Sequence, residues 1–297
     1  MNDNKTDNGE FNDNIDLDFF VRLIIQRKKL VISFIASSFI IGCFTAFFLN
    51  DVYKSESVLT VVVQEEMNSG LSQLTSLTSL TNNAMSNRSS VIIETLKSRS
   101  FLKRLTEEQR NYALLSDSGY SVDSSGDIDF DPDYFILANN TWVANKPPFE
   151  EIYENYQDQL KIEYNKQTNI LNLSFSHVSP QFSVKFLDLI ISSVNEKLRK
   201  DDLEELQNTI ELLKAEYVAT QQLFVKNAIS SIMVMNFQKE VRAKVKENYV
   251  LDPIEPPQLP EKKDFPNRIL IILIFAIAGF IVSLLYLVAR KIVDNYK

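Results

Sequence analysis

The residues of this chain that could carry chemistry are few and scattered. A single histidine, His177, and a single cysteine, Cys43, stand among 297 residues. An imidazole can act as a base or metal ligand and a thiolate as a nucleophile, but each needs partners that orient it. His177 ends a stretch that reads as a strand, so a structural role is expected. Cys43 sits inside an apolar run, and one cysteine closes no internal disulfide. Asp127, Asp129, Asp131 and Asp133 alternate like the start of a calcium loop. The run lacks the glycine of the sharp turn and the terminal bidentate glutamate, so a solvated turn is expected instead. The six glycines (9, 42, 70, 119, 126 and 279) never cluster into a phosphate-binding loop. No serine motif of the hydrolase type is present. Carboxylates are abundant, but spacing alone selects no acid–base pair. The reading is a non-enzyme, with no catalytic residue, cofactor or metal.

With reactive groups so sparse, function must lie in the elements themselves. Residues 30–49 (LVISFIASSFIIGCFTAFFL) and 269–289 (ILIILIFAIAGFIVSLLYLVA) contain no charge. At about 1.5 Å per residue each reaches roughly 30 Å, the hydrocarbon thickness of a bilayer, so both read as transmembrane helices. Arg22, Arg27, Lys28 and Lys29 precede the first and Arg290, Lys291 and Lys297 follow the second. Fewer cations lie on the inner flanks: Lys54, Lys262, Lys263 and Arg268. The imbalance places both termini in the cytoplasm. Ile40-Ile41-Gly42-Cys43 matches the pattern of a lipoprotein cleavage site. The apolar run continues past it to Leu49, however, so an uncleaved anchor is expected. Ser38, Gly42 and Ala46 recur every fourth residue, as do Gly279 and Ser283, a spacing that lets helix backbones approach closely in lipid. These five are the candidates for packing between the spans or against a membrane partner.

The segment from Asp51 to Arg268 then lies outside. It is acidic, with 23 basic and 32 acidic residues, and lacks the dense cations a nucleic-acid partner requires. Residues 1–14 read as a polar disordered tail, and Ile15–Ile24 as a short amphipathic helix leading to the membrane. Residues 52–63 alternate and are β-branched, predicting a strand. Residues 69–80 place Leu at every third position in Ser/Thr filler, as a loop or weak helix, and residues 91–105 have helical periodicity. Residues 116–148 are turn-rich and predict a surface excursion. Leu160–Tyr164 and Ile170–Ser176 read as a hairpin, followed by a helix capped by Ser179 with Pro180 in its first turn. Leu203, Leu206, Ile210, Leu213, Tyr217 and Phe224 step by three and four, a seam for a partner helix. A single helix of about fifty residues would reach roughly 75 Å and needs neighbours, which predicts self-association. The alternative is a helix that folds back near Asn227–Ser231. Residues 244–251 read as a returning strand ended at Pro253. Pro256, Pro257, Pro260 and Pro266, with Arg268, then predict a stiff membrane-proximal anchor.

This pattern resembles the polysaccharide co-polymerases, the Wzz-type chain-length determinants without a kinase domain. The resemblance is carried by Ile15-Asp16-Leu17 before Arg27-Lys28-Lys29, by IETLKSRSFL (93–102) and by PPFEEIYENY (147–156). TNILNLSFSHVSPQFSVKFLDLIISSVNEKLR (168–199) and VLDPIEPPQLPEKKDFPNR (250–268) extend it along most of the chain. It implies an α+β membrane protein: two transmembrane helices flanking a periplasmic α/β base, with a long extended helix or helical hairpin. The expected division is a cytoplasmic tail (1–29), first span (30–49), periplasmic domain (50–268), second span (269–289) and cytoplasmic tail (290–297). The base would comprise about 51–178 and 244–268, and the helical region about 179–243. The resemblance further implies a homo-oligomeric ring, commonly an octamer, in the bacterial inner membrane. Its partners would be a membrane polymerase and the growing polysaccharide or lipid-linked oligosaccharide. No nucleotide-binding loop or Tyr-rich tail follows the second span, unlike the kinase-fused relatives. An adaptor for capsule or exopolysaccharide that activates a separate tyrosine kinase, and a two-span ligand sensor, are the competing readings.

Overall fold

The computed structural model describes residue 25 and residues 27–62, 78–116, 118–123 and 126–295. The polar tail, the helix expected at Ile15–Ile24 and most of the Leu/Ser stretch lie outside the described residues. The chain divides into two compact units. One combines Met1–Asn50 with Phe265–Lys297; the other is Asp51–Asp264.

The first unit is built on α1 (Lys28–Phe48) and α8 (Arg268–Asn295), the two uncharged runs read above. Lys28–Phe48 and Arg268–Arg290 are long and apolar enough to cross a membrane, and little of either is buried. A soluble core helix buries its apolar surface. These two helices leave theirs open, as helices that meet lipid do.

The second unit is α/β. Its antiparallel sheet runs β6-β7-β1-β8: β1 (Tyr53–Val61), β6 (Leu160–Asn165), β7 (Ile170–His177) and β8 (Leu251–Glu255). Alternation in β1 and β7 aims one side chain in two at a helical layer. Ser55, Ser57, Leu59 and Val61 point inward from β1, and Leu171, Leu173, Phe175 and His177 from β7. The layer against them includes α2 (Thr78–Lys97), α3 (Arg99–Leu105), α4 (Gln109–Leu115), α5 (Phe149–Gln159) and the first half of α6 (Pro180–Ala219). Phe182, Phe186, Leu187, Ile190, Val194 and Leu198 step along one face of α6 into this core. Each such side chain contributes about 1.5–3 kcal/mol when fully buried.

The strand–turn–strand β6–β7 and the start of α6 agree with their sequence signals. The Ser179 hydroxyl accepts from the Phe182 amide at 3.3 Å and donates to the Gly126 carbonyl at 2.9 Å. Gly126 holds a positive φ of 85°, and a Cβ there would lie 2.3 Å from the Gln181 side chain. Ser179→Ala removes both bonds and leaves a buried amide without its cap. A loss of about 1–2 kcal/mol is expected, read as a lowered thermal midpoint with the far-ultraviolet spectrum unchanged.

Several elements differ from expectation. The helical stretch 91–105 is two helices: α2 ends at Lys97 and α3 begins at Arg99, because Ser98 is extended and caps the Phe101 amide. The turn-rich stretch 116–148 is more than a surface excursion. It forms two short antiparallel pairs, β2 (Tyr120–Val122) with β3 (Ile128–Phe130), and β4 (Phe135–Ile136) with β5 (Thr141–Trp142). These aim Phe130 and Phe135 into the core, where Phe135 packs on Trp142 at 5.2 Å. The returning strand is β8, shifted from residues 244–251 to Leu251–Glu255, with Pro253 inside it. Proline is tolerated there because β8 is an edge strand, and its register with β1 shifts between Val58 and Leu59.

Candidate functional site: the span pair and the helical hairpin

Within the first unit, α1 and α8 pack against each other through the small residues singled out by spacing. A Cβ added at Gly42 would lie 2.7 Å from the Cβ of Phe275, and one at Gly279 would lie 2.5 Å from the Cβ of Ser38. Both glycines are therefore points of backbone-close approach. Ser38 donates to the Phe275 carbonyl, a bond across the helix pair. Ala46 and Ser283 are 2% and 1% exposed, whereas Phe44, Phe47, Ile269 and Leu285 stay open. The Phe34 and Tyr286 rings meet at 5.4 Å. Phe275, the partner of Gly42, carries no signal in a small-residue search; its position opposite the glycine comes only from the packing. Pro266 is buried and Arg268 lies 5.7 Å from the Phe47 ring.

In the second unit the proline-rich segment is strapped alongside β1. Serine hydroxyls of β1 donate to the carbonyls of this segment. Ser57 donates to the Glu255 carbonyl at 2.7 Å and Ser55 to the Gln258 carbonyl at 3.1 Å. The Asp264 amide reaches the Val52 carbonyl at 2.8 Å, and Lys263 pairs with Asp51 at 3.0 Å. Pro256 is exposed while Pro257 and Pro260 are half-buried against this strap.

The long helical region is a hairpin. α6 ends at Ala219, residues 220–222 turn, and α7 (Leu223–Val245) returns along it. The fold-back comes about seven residues earlier than the alternative placed it, and the single fifty-residue helix does not form. Leu203, Leu206, Ile210 and Leu213 are half-buried, and the returning α7 covers this part of the seam. Tyr217 is at its exposed end, with Lys226 of α7 5.3 Å from its ring. Phe224 belongs to α7 and is 84% exposed. Regular spacing was continued across a break that no Gly or Pro marks. The base of the hairpin is held by polar contacts. Asp202 accepts from Arg88 at 2.7 Å and from the Tyr249 hydroxyl at 2.6 Å, and Arg199 donates to the Glu247 carbonyl. Burial opposes the Arg88 charge, but Asp202 outweighs it and holds the guanidinium above its ordinary pKa. The Lys244 ammonium holds the Glu240 carboxyl below the usual carboxylate range, helped by Gln207 from α6.

His177 and the aspartates of the turn-rich stretch make the following contacts. His177 is 2% exposed, accepts the Ser179 amide at Nδ1 and places Nε2 2.9 Å from the Tyr120 hydroxyl and 3.2 Å from the Leu114 carbonyl. An accepting Nδ1 puts the proton on Nε2. Asp131 accepts the Asp133 amide and Asp123 the Asp127 amide, both ordinary turn contacts.

Residues 13–109 match the family described as Wzz, chain length determinant protein. No curated protein matches the chain. Among solved structures, a full-length bacterial polysaccharide co-polymerase aligns over 96% of this chain and 99% of its own, at 14% identity and a TM-score of 0.40. A fragment of WzzB, polysaccharide co-polymerase from Salmonella Typhimurium, aligns over 73% of this chain and 100% of its own, at 15% identity and 0.26. A mutant of the Shigella flexneri lipopolysaccharide O-antigen chain-length regulator aligns over 72% and 100%, at 11% identity and 0.25. Over residues 13–109 this chain is similar to the Wzz family, chain length determinant protein.

Proposed function

We propose that this chain is a non-enzymatic regulator of surface polysaccharide length, of the O-antigen lipopolysaccharide type. It acts as a ring-forming co-polymerase beside the membrane polymerase that joins lipid-linked repeat units. The observation that carries this reading is the match of residues 13–109 to the chain length determinant family. The two apolar helices at either end of the chain support a place in the inner membrane. In this reading residues 1–29 and 290–297 are cytoplasmic, 30–49 and 269–289 span the bilayer, and 50–268 are periplasmic. The base of 51–178 and 244–268 carries the helical region 179–243. Ser38, Gly42, Ala46, Gly279 and Ser283 hold the spans together and offer their outer faces to the polymerase. Pro253, Pro256, Pro257, Pro260, Pro266 and Arg268 anchor the base near the membrane. The helices organise the growing polymer by shape, and the polymerase makes the bonds.

The test is deletion of the gene in its own host, followed by gel separation of the surface polysaccharides. The modal length is expected to be lost and restored by the intact chain. An unchanged O-antigen profile beside an active polymerase would overturn the reading, and a changed capsule or exopolysaccharide profile in its place would favour the adaptor.

A further inference from the structure

The hairpin carries two outward stripes that its own fold leaves uncovered. On α7, Val234, Phe237, Val241 and Val245 step by three and four along one side, off the contact made by Ile229, Glu240 and Ala243. They are 42–80% exposed. Four such residues in line outside the membrane spans form a contiguous apolar patch, which soluble surfaces rarely expose without a partner. The helix that bears them has four basic residues, Lys226, Lys239, Arg242 and Lys244, against one acidic, Glu240. On α6, Asp201, Glu205 and Leu212 recur at four and seven on the side turned away from α7, and Leu212 is 63% exposed. Between Lys200 and Ala219 this helix has six acidic residues and two basic. Asp201 pairs with Lys197 one turn back at 2.7 Å, while no cation meets the Glu205 carboxylate among the described residues.

One stripe is apolar with basic flanks and the other is acidic with an apolar end. Both lie off the α6–α7 contact, so they cannot meet within one hairpin. They can meet between copies. A head-to-tail contact between two different patches is heterologous: it repeats from copy to copy, and forms a ring when the rotation between neighbours closes. The register follows from the hairpin's own levels. Arg199 stands opposite Glu247, Gln207 opposite Glu240, and Tyr217 opposite Lys226. By that register Leu212 is level with Val234, Glu205 with Val241 and Arg242, and Asp201 with Val245. Neighbours in a ring are related by rotation without rise, so levels are preserved between copies.

We propose that α7 of each copy seats Val234, Phe237, Val241 and Val245 on the Asp201–Glu205–Leu212 stripe of the next copy's α6. Leu212 then meets Val234, and Glu205 faces Arg242. This rests on the ring reading above and names the surface that builds the ring. It also moves the interface from the predicted seam, which α7 of the same chain already covers, to the two outer faces.

The full chain carrying Cys43→Ser with Leu212→Cys and Val234→Cys is oxidised in native membranes and run without reductant. A ladder of dimer, trimer and larger species is expected, with neither single cysteine variant producing one. In the same double-cysteine chain, Glu205→Lys or Arg242→Glu is expected to lower ladder yield about two- to fivefold, and the two together to restore it. Dimers from Val234→Cys alone would show α7 against α7 and overturn the proposal. So would an absent ladder from a chain that native mass spectrometry shows to be oligomeric, leaving the ring reading intact. A monomer in lipid would overturn both.

Discussion

Replacing Asn195 with leucine is expected to lower the thermal midpoint of the full chain by roughly 6–20 °C, corresponding to about 3–5 kcal/mol for a unit of this size. Asn195 lies on the buried face of α6, 4% exposed, and its amide takes the place of a missing neighbour strand. Its Oδ1 accepts from the Val250 and Leu251 amides at 2.8 and 2.9 Å, and its Nδ2 donates to the Leu251 carbonyl at 2.9 Å. Leucine keeps the branched outline, though it is bulkier, and leaves three buried backbone groups unpaired, each costing about 1–3 kcal/mol. Partial relaxation toward water keeps the total below the full sum. The damage is expected to be local before it is global, because β8 is an edge strand held on one side by β1 alone. Amide exchange followed by mass spectrometry should show the peptide containing residues 250 and 251 losing protection while the β6–β7 peptide keeps it. Unchanged exchange at 250–251, or a midpoint within about 2 °C of the parent, would show that the Asn195 bonds are not what seats β8.

The span pair gives the second large effect. Gly42→Leu combined with Gly279→Leu is expected to separate α1 from α8. Even a methyl at either site would overlap its neighbour, at 2.7 Å from Phe275 or 2.5 Å from Ser38. A leucine cannot rotate away from an overlap that begins at Cβ, so the backbones must part. Parting them breaks the Ser38–Phe275 bond and opens the packing around Ala46 and Ser283. In lipid no hydrophobic effect draws helices together, so close packing and that bond supply the attraction. Overpacking at two sites costs about 2–6 kcal/mol, enough to reverse the pairing. The measurement uses the full chain with Cys43→Ser, Phe34→Cys and Tyr286→Cys, joined by a short bifunctional thiol reagent in membranes. The rings at these positions meet at 5.4 Å in the native pair, and intrachain linking is expected to fall at least about tenfold with both leucines, the equivalent of 1.4 kcal/mol. Gly70, outside the described residues, serves as the control: Gly70→Leu should leave linking unchanged. Equal linking with and without leucine at 42 and 279 would mean that the spans pair through another face.

The elements whose signal is local were readable from the chain alone. Twenty uncharged residues specify a long apolar helix, and the alternation of ILNLSFSH and the Ser179–Pro180 start of α6 behave as their periods require. The spacing of Ser38, Gly42 and Ala46 marked the face on which α1 meets α8, because close helix approach demands small side chains on any partner. It could not name Phe275, which is unremarkable until α8 sits opposite Gly42. The seam of α6 shows the same division. The spacing of Leu203 to Leu213 predicts a seam between copies, whereas these residues lie half-buried along α7 of the same chain. The turn at 220–222 falls in Ala-Thr-Gln-Gln, where no residue forbids helix and only the gain from packing α7 against α6 bends the chain. That choice exposes the Val234–Val245 stripe, which had no meaning while α7 was read as a continuation of α6. Composition and period are properties of a segment and its solvent, so the sequence by itself determined the two apolar helices, β1 and the β6–β7 pair. Asn195 as the clasp on β8, Pro253 within a strand and the outward stripes depend on which segments become neighbours. Only the tertiary structure decides those, because each takes its energy from groups far apart along the chain.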